Sequence, residues 1–259
     1  MTKRKLVFAA NWKMNKSLKD TPVFVQDLSS RLRDLKTAVA YETVIAPQAT
    51  HLTTLISAAQ GKNLFASSQN AGTAKSGAFT GEISPVVLKE IGCDWAILGH
   101  SERRHVYQET DALISQRLKA VLAEGLTPIL CIGELIGERK ANQTFTVVER
   151  QLSILKSFAK DELKTLVIAY EPVWAIGTGE TATPEQAQEV HAHIRGWLSK
   201  ELGQELANSM RILYGGSVKA ENSETIMAKP DIDGLLVGGA SLEAPSFYGV
   251  IANGLKGKE

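Results

Sequence analysis

Short apolar segments rich in β-branched residues recur along the chain, and polar or glycine-rich residues and then a stretch of helical periodicity follow each one. None of these segments alternates regularly between apolar and polar positions. Each is therefore expected to be covered on both faces, as in a parallel sheet. The pattern predicts eight strands, at residues 6–10, 43–46, 64–67, 95–98, 128–132, 166–170, 211–214 and 234–237.

The stretches between the strands predict crossover helices, two of which have clear limits. Residues 112–123 place their apolar side chains on one side of a helix. Residues 184–202 follow Thr183, a suitable N-cap, and Gln186 completes a capping box with it.

Eight strand–helix units predict one α/β domain over residues 1–259, because no linker, low-complexity tract or charge block divides the chain. The favoured fold is a (β/α)8 barrel of eight parallel strands ringed by helices, which commonly has about this length. A doubly wound open sheet would show the same alternation and remains the alternative.

Composition excludes several classes of protein. With 29 Lys and Arg against 28 Asp and Glu, the chain has no global field to attract nucleic acid or an anionic membrane. The apolar stretch at 6–10 is shorter than the roughly 7–15 residues of a signal-peptide core, and no run approaches the roughly 18 apolar residues of a membrane span. We therefore expect a cytoplasmic protein. Cys93 and Cys131, with apolar neighbours, are expected to be buried, reduced thiols.

In a barrel, functional side chains belong where each strand meets the following loop, at the carboxyl-terminal ends of the strands. The unusual residues of this chain fall at those positions. They are Asn11 and Lys13 after the first strand, His100, Ser101 and Glu102 after the fourth, Glu171 after the sixth, Ser217 after the seventh, and Gly238 and Gly239 after the eighth.

Glu171 directly follows an apolar strand, where a partly desolvated carboxylate could act as a general base. An exposed strand-end acid is the ordinary alternative. The segment after it combines apolar residues with one Pro and two Gly, a composition that suits a lid closing over a substrate. Its residues are Pro172, Val173, Trp174, Ala175, Ile176, Gly177, Thr178 and Gly179.

His100 could move protons between two oxygens of a bound molecule near neutral pH, and Lys13 could neutralise a developing negative charge. Each alone is weak, since most histidines are structural and most strand-end lysines are solvated. The other four histidines are expected to be structural. They are His51, His105, His191 and His193, and the last two do not share a helical face that would suit a metal ion.

Glycine clusters after the last two strands indicate a phosphate site. Residues 215–217 and 238–239 expose backbone N–H groups, and a helical pattern is predicted to begin at residues 240–242, where its N-terminus would also favour an anion. Tight turns explain either cluster separately. Both clusters in this order match the usual phosphate site of a (β/α)8 barrel.

With these residues assembled, the chain closely resembles the triosephosphate isomerase family over essentially all its length. The resemblance is carried by NWKMN at 11–15, SQN at 68–70, GAFTGE at 77–82, GHSERR at 99–104, CIGE at 131–134, AYEPVWAIGTG at 169–179, YGGSV at 214–218 and DGLLVGGASL at 233–242.

The resemblance implies interconversion of dihydroxyacetone phosphate and D-glyceraldehyde 3-phosphate through an enediol(ate), with no cofactor and no metal. Glu171 then resembles the base and His100 the neutral electrophile, while Lys13 and Asn11 contact substrate oxygens and Glu102 and Ser101 support them. Gly177, Ser217, Gly238 and Gly239 resemble the phosphate cradle. The loop at 69–82 resembles the one by which two subunits form a homodimer, with Thr80 near the neighbouring active site.

Two other hypotheses stay open on the sequence. One is a non-catalytic phosphate-binding barrel that serves as a scaffold or regulator. The other is a barrel of different chemistry, such as an aldolase or a phosphoribosyl isomerase, against which the lack of another strand-end lysine or a paired catalytic Asp argues.

Overall fold

The computed structural model describes residues 4–175 and 182–259. Its strands form one closed barrel in the order of the chain, with every neighbouring pair parallel and β1 beside β8. The predicted barrel is confirmed and the open sheet was wrong. The strands are β1 (Leu6–Asn11), β2 (Tyr41–Ala46), β3 (Leu64–Ser68), β4 (Trp95–Leu98), β5 (Thr127–Ile132), β6 (Val167–Tyr170), β7 (Arg211–Tyr214) and β8 (Gly234–Val237).

Helices surround the barrel. They are α1 (Asp20–Arg33), α2 (Leu52–Ala59), α3 (Pro85–Glu90), α4 (Ser101–His105), α5 (Asp111–Ala123), α6 (Ile136–Lys140), α7 (Thr144–Leu152), α8 (Pro184–Leu202), α9 (Gln204–Ser209), α10 (Ala220–Met227) and α11 (Ala244–Lys256). Helix α8 begins as predicted, since Thr183 Oγ1 accepts the N–H of Gln186 at 3.2 Å and Gln186 Oε1 accepts the N–H of Thr183 at 2.9 Å. No helix within the described ranges is long and apolar enough to cross a membrane.

The helix predicted to begin at residues 240–242 is only a short 3₁₀ turn, Gly239–Ser241, and the true helix α11 begins at Ala244. Pro245 supplies the reason. It has no N–H to continue a hydrogen-bonded helix through this point, but its fixed φ suits the first turn of a new one.

Apolar side chains fill two layers, one inside the barrel and one between the strands and the helices. Each strand therefore buries both faces, which explains why its sequence lacks regular alternation. The inner layer consists of Val7, Ala9, Val44, Ala46, Trp95, Ile97, Ile129, Cys131, Val167, Ala169, Leu213 and Leu236. Cys93 and Cys131 are both free and buried, as predicted.

Candidate active site

Two strand ends bring a carboxylate and an imidazole into contact. Glu171 follows β6 and His100 follows β4, and parallel strands of a barrel end at the same rim. His100 Nε2 lies 3.0 Å from Glu171 Oε1, and the N–H of Ser101 donates to Glu171 Oε2 at 2.9 Å. Glu171 is only 2% exposed. The sequence placed these residues together, and the structure does so as well.

Glu171 is held in its ionised form. Burial alone would raise its pKa, but the adjacent His100, the N–H of Ser101 and the charge of Lys13 outweigh burial, so the pKa of Glu171 lies below its usual range. The carboxylate is thus able to accept a proton at neutral pH, in a site shielded from water.

His100 occupies the N-cap of α4, and its Nδ1 accepts the N–H of Glu102 at 3.2 Å. Burial lowers the pKa of His100, and the Glu171 carboxylate more than offsets this and raises it. A second ring proton on Nδ1 would nevertheless point at the N–H of Glu102. The backbone hydrogen bond therefore favours a neutral ring with its proton on Nε2, facing Glu171.

Lys13 lies beside this pair in an unusual backbone conformation, with a φ of 51°. Its Nζ is 2.7 Å from Glu102 Oε1, and its N–H donates to Asn11 Oδ1 at 3.1 Å. Asn11, predicted to contact substrate, therefore also shapes the turn that carries Lys13. Gln69 Nε2 donates to the carbonyl of Lys13 at 2.9 Å. The sequence pattern did not assign Gln69 to the site, although Gln69 follows β3 directly, as the other site residues follow their strands.

The glycines after β8 border a cavity of ≈ 810 Å³ that Lys13 and Ser217 also line. A Cβ added to Gly238 would lie 3.6 Å from Lys13 Cε, and one added to Gly239 would meet nothing within 4 Å. The backbone at both positions is therefore accessible from the cavity. Gly215 has a different reason for being glycine, because its Cβ would lie 2.9 Å from Glu171 Cγ. It makes room for the carboxylate.

The first half of the predicted lid is anchored to a buried carboxylate. Val173–Ala175 form a 3₁₀ turn after Pro172, and Trp174 Nε1 donates to Glu134 Oε1 at 2.9 Å. Tyr170 Oη also donates to Glu134, at 3.1 Å, and burial raises the pKa of this carboxyl group. The remaining lid residues, Ile176, Gly177, Thr178 and Gly179, lie outside the described residues, as does the predicted phosphate contact at Gly177.

Thr80 lies exposed on the loop between β3 and α3, close to the exposed Phe79. Arg117 pairs with Glu82 at the base of this loop, at 2.5 Å. A separate cavity of ≈ 300 Å³ opens beside Asn11, Lys13 and His100.

Two of the other histidines have partners elsewhere. His191 is completely buried in α8, with Nδ1 3.2 Å from the carbonyl of Asp231, and burial lowers its pKa to about 3. His193 pairs with Glu149 at 2.8 Å and stacks on Phe145. In the ranges 4–175 and 182–259, no group of three His, Cys, Asp or Glu side chains could hold a metal ion.

Comparison with known proteins agrees with this geometry. The sequence profile of the family described as "Triosephosphate isomerase" matches residues 6–254. Proteins of that name from Geotalea uraniireducens and Lacticaseibacillus casei are each 49% identical to this chain, over 96% and 92% of it and over 98% and 94% of their own lengths. The protein of the same name from Pelobacter propionicus is 46% identical over 93% of this chain and 95% of its own length. The chain therefore belongs to the triosephosphate isomerase family.

Proposed function

We propose that this chain interconverts dihydroxyacetone phosphate and D-glyceraldehyde 3-phosphate through an enediol(ate) intermediate, a step of glycolysis and gluconeogenesis. The observation that carries the proposal is the buried contact of 3.0 Å between Glu171 and His100, beside Lys13. Membership of the family and the name of its relatives support the same activity.

Glu171 is the proposed base that removes a proton from the carbon next to the carbonyl. Its two carboxylate oxygens are occupied by the N–H of Ser101 and by Nε2 of His100 in the structure described here. Proton abstraction therefore requires the side chain to turn away from Ser101 toward the substrate carbon. The partners seen here lower the pKa of Glu171, so the carboxylate gains basicity when it leaves them for a substrate carbon in a site from which water is excluded.

His100 is the proposed electrophile. As a neutral ring with its proton on Nε2, it can donate to the substrate carbonyl oxygen and then carry a proton between the two oxygens of the enediol. Lys13 supplies positive charge where negative charge develops on the substrate oxygens, and Asn11 donates to them. Glu102, at 2.7 Å from Lys13 Nζ, is the proposed orienting carboxylate.

The phosphate group is proposed to bind to backbone N–H groups at Ser217, Gly238, Gly239 and Gly177. The cavity of ≈ 810 Å³ next to Lys13 supports the first three. Closure of residues 172–179 would exclude water and suppress loss of phosphate from the enediolate, which yields methylglyoxal.

A coupled spectrophotometric assay tests this function. The purified protein should interconvert the two triose phosphates without added metal or nucleotide, and Glu171→Gln should abolish most of the turnover. A non-catalytic barrel would instead bind 2-phosphoglycolate in both forms and never turn over. Absence of turnover in the unaltered, folded protein would overturn the proposal.

The same site is proposed to be completed by a second copy of the chain. Phe79, on the loop at 69–82, is 49% exposed. Met14, beside the cavity of ≈ 300 Å³, is 86% exposed. Such exposed apolar surface on an isolated chain is typical of an interface. In the proposed homodimer, the loop of one subunit enters the cavity of its partner and brings Thr80 near Lys13.

Sedimentation equilibrium tests the dimer. Phe79→Asp should shift the protein toward monomer, whereas Val23→Asp, on the exposed face of α1, should not. A monomeric unaltered protein would contradict the homodimer. We further propose that the chain forms one catalytic domain over residues 1–259, since its first and last strands pair within one barrel. We also propose that it acts in the cytoplasm, as expected from its composition.

A further inference from the structure

Lys16 has a backbone conformation that needs explanation. Its φ is 69°, in the left-handed region that a lysine rarely adopts, because it lacks the short polar side chain that lets Asn or Asp bond to the local backbone. Gln48 holds this turn by donating from Nε2 to the carbonyls of Asn15 and Lys16, at 3.2 and 3.3 Å. A strained residue persists where its surroundings hold it, often at a functional site.

The side chain of Lys16 is enclosed rather than solvated. It is only 13% exposed, and its Nζ lies 5.8 Å from the ring centroid of Trp12 and 5.6 Å from that of Phe24. Both distances allow favourable cation–π contact. The same Nζ lies 3.3 Å from Glu243 Oε1, whose side chain is 77% exposed. Lysine side chains usually extend their charged ends into water, so the enclosure of Lys16 by two aromatic rings is unusual.

The ion pair joins the two segments that border the proposed phosphate cavity. Lys16 lies in the segment after β1, three positions beyond Lys13, and Glu243 lies just beyond the 3₁₀ turn that begins at Gly239. These segments also approach each other at Gly238, where an added Cβ would lie 3.6 Å from Lys13 Cε. The contact between Lys16 and Glu243 therefore links the segment that carries Lys13 to the segment that carries the glycines.

We propose that Lys16 is a positioning residue that sets the separation between Lys13 and the phosphate-binding glycines. This inference rests on the proposed function, because it assumes that one ligand spans both groups. The affinity of a ligand that contacts only the glycines does not depend on this separation. The affinity of a ligand that carries a phosphate at one end and a charged oxygen group at the other does depend on it.

Isothermal titration calorimetry with two probes separates these cases. Inorganic phosphate needs only the glycines, whereas 2-phosphoglycolate must reach both the glycines and Lys13. In Lys16→Met we expect the dissociation constant of 2-phosphoglycolate to rise about tenfold, and that of phosphate to change less than about twofold. Lys19→Met, at an exposed lysine of the same segment, is the matched control and should leave both constants unchanged.

Glu243→Gln distinguishes positioning from simple attraction of anions, and because the side chain of Glu243 is exposed, the variant is expected to fold. Removing Lys16 deletes a positive charge and removing Glu243 deletes a negative one, so attraction at a distance would change the affinities in opposite directions. A positioning role instead weakens the binding of 2-phosphoglycolate relative to that of phosphate in both variants, which raises the ratio of their dissociation constants. If this ratio changed in opposite directions in the two variants, the inference would be overturned.

Lys16→Gly relieves the strained φ while it removes the side chain. We expect Lys16→Gly to weaken the binding of 2-phosphoglycolate as Lys16→Met does. A ratio equal to that of the unaltered protein, in Lys16→Gly or in Lys16→Met, would overturn it. Equal weakening of the binding of phosphate and of 2-phosphoglycolate would also overturn the inference.

The binding ratio does not depend on turnover, so the two proposals can fail separately. If the unaltered protein interconverts the triose phosphates and the ratio does not change in the variants, only the role of Lys16 falls. If the ratio changes as expected and no turnover occurs, only the proposed reaction falls.

Discussion

The two ends of the barrel differ in the partners that surround their buried carboxylates. At the amino-terminal end, Asp233 is 3% exposed and accepts hydrogen bonds from Arg4, Arg195 and the N–H of Ile212 at 2.6, 2.6 and 2.9 Å. At the carboxyl-terminal end, the equally buried Glu171 meets one backbone N–H and an imidazole that has no fixed charge.

This difference separates stability from chemistry. A buried carboxylate between two guanidinium groups is fully paired, and removing one partner leaves an unpaired charge, which is costly. A carboxylate with few partners can leave them for a substrate at smaller cost. We therefore expect substitutions at the amino-terminal end to affect unfolding and those at the carboxyl-terminal end to affect turnover.

The largest expected effect is on turnover in Glu171→Asp. Shortening the side chain by about one methylene moves the carboxylate from the position where it can reach the substrate, and kcat should fall about 100-fold with little change in KM. Steady-state kinetics in both directions measure this. Glu185→Asp, at an exposed position, is the control, and equal changes in kcat and KM for Glu171→Asp would argue against simple mispositioning.

The comparison is tested from the other end by Asp233→Ala. This change leaves Arg4 and Arg195 without their shared carboxylate, so the free energy of unfolding should fall by about 3 kcal/mol while kcat of the folded protein is retained. Urea denaturation measures the first quantity. Glu185→Ala, which breaks the exposed pair with Lys229, should lower the urea midpoint far less than Asp233→Ala. A large loss of kcat in Asp233→Ala would break the comparison.

The pH dependence of stability provides a third test, through His191. Its pKa is about 3 in the folded protein because of burial, whereas an unfolded histidine titrates near 6.5. Between these values the unfolded chain binds the extra proton, so His191 makes stability rise with pH by about 1.4 kcal/mol per unit. His191→Gln should reduce this slope in urea midpoints between about pH 4 and pH 7. An unchanged slope in His191→Gln would contradict this role of His191.

The smallest effect is expected for Trp174→Phe in the lid. The change removes the hydrogen bond of 2.9 Å to Glu134 but keeps an aromatic ring, and a hydrogen bond to a carboxylate contributes about 1.5–3 kcal/mol. Amide exchange at residues 173–175 should therefore be at least about tenfold faster, measured by hydrogen–deuterium exchange mass spectrometry. Unchanged exchange would show that this bond does not hold the segment.

Much of the fold could be predicted because local signals and burial agree. Strands covered on both faces gave continuous apolar runs, and the Thr183–Gln186 capping box marked the start of α8. The helix expected at 240–242 shows the limit, since a few residues of suitable composition cannot distinguish a 3₁₀ turn from a helix. Gln69 and Glu134 escaped notice as site residues because their partners, Lys13 and Trp174, are distant in sequence.

The sequence by itself determined which side chains lie together at the carboxyl-terminal end of the barrel. They follow successive apolar runs, and every strand of a closed parallel barrel ends on the same side. Only the folded chain decided the proton on His100 and the enclosure of Lys16 by Trp12, Phe24 and Glu243. Both depend on distances of a few ångströms between groups on different elements. Such distances follow from packing of the whole barrel, which no local pattern of residues records.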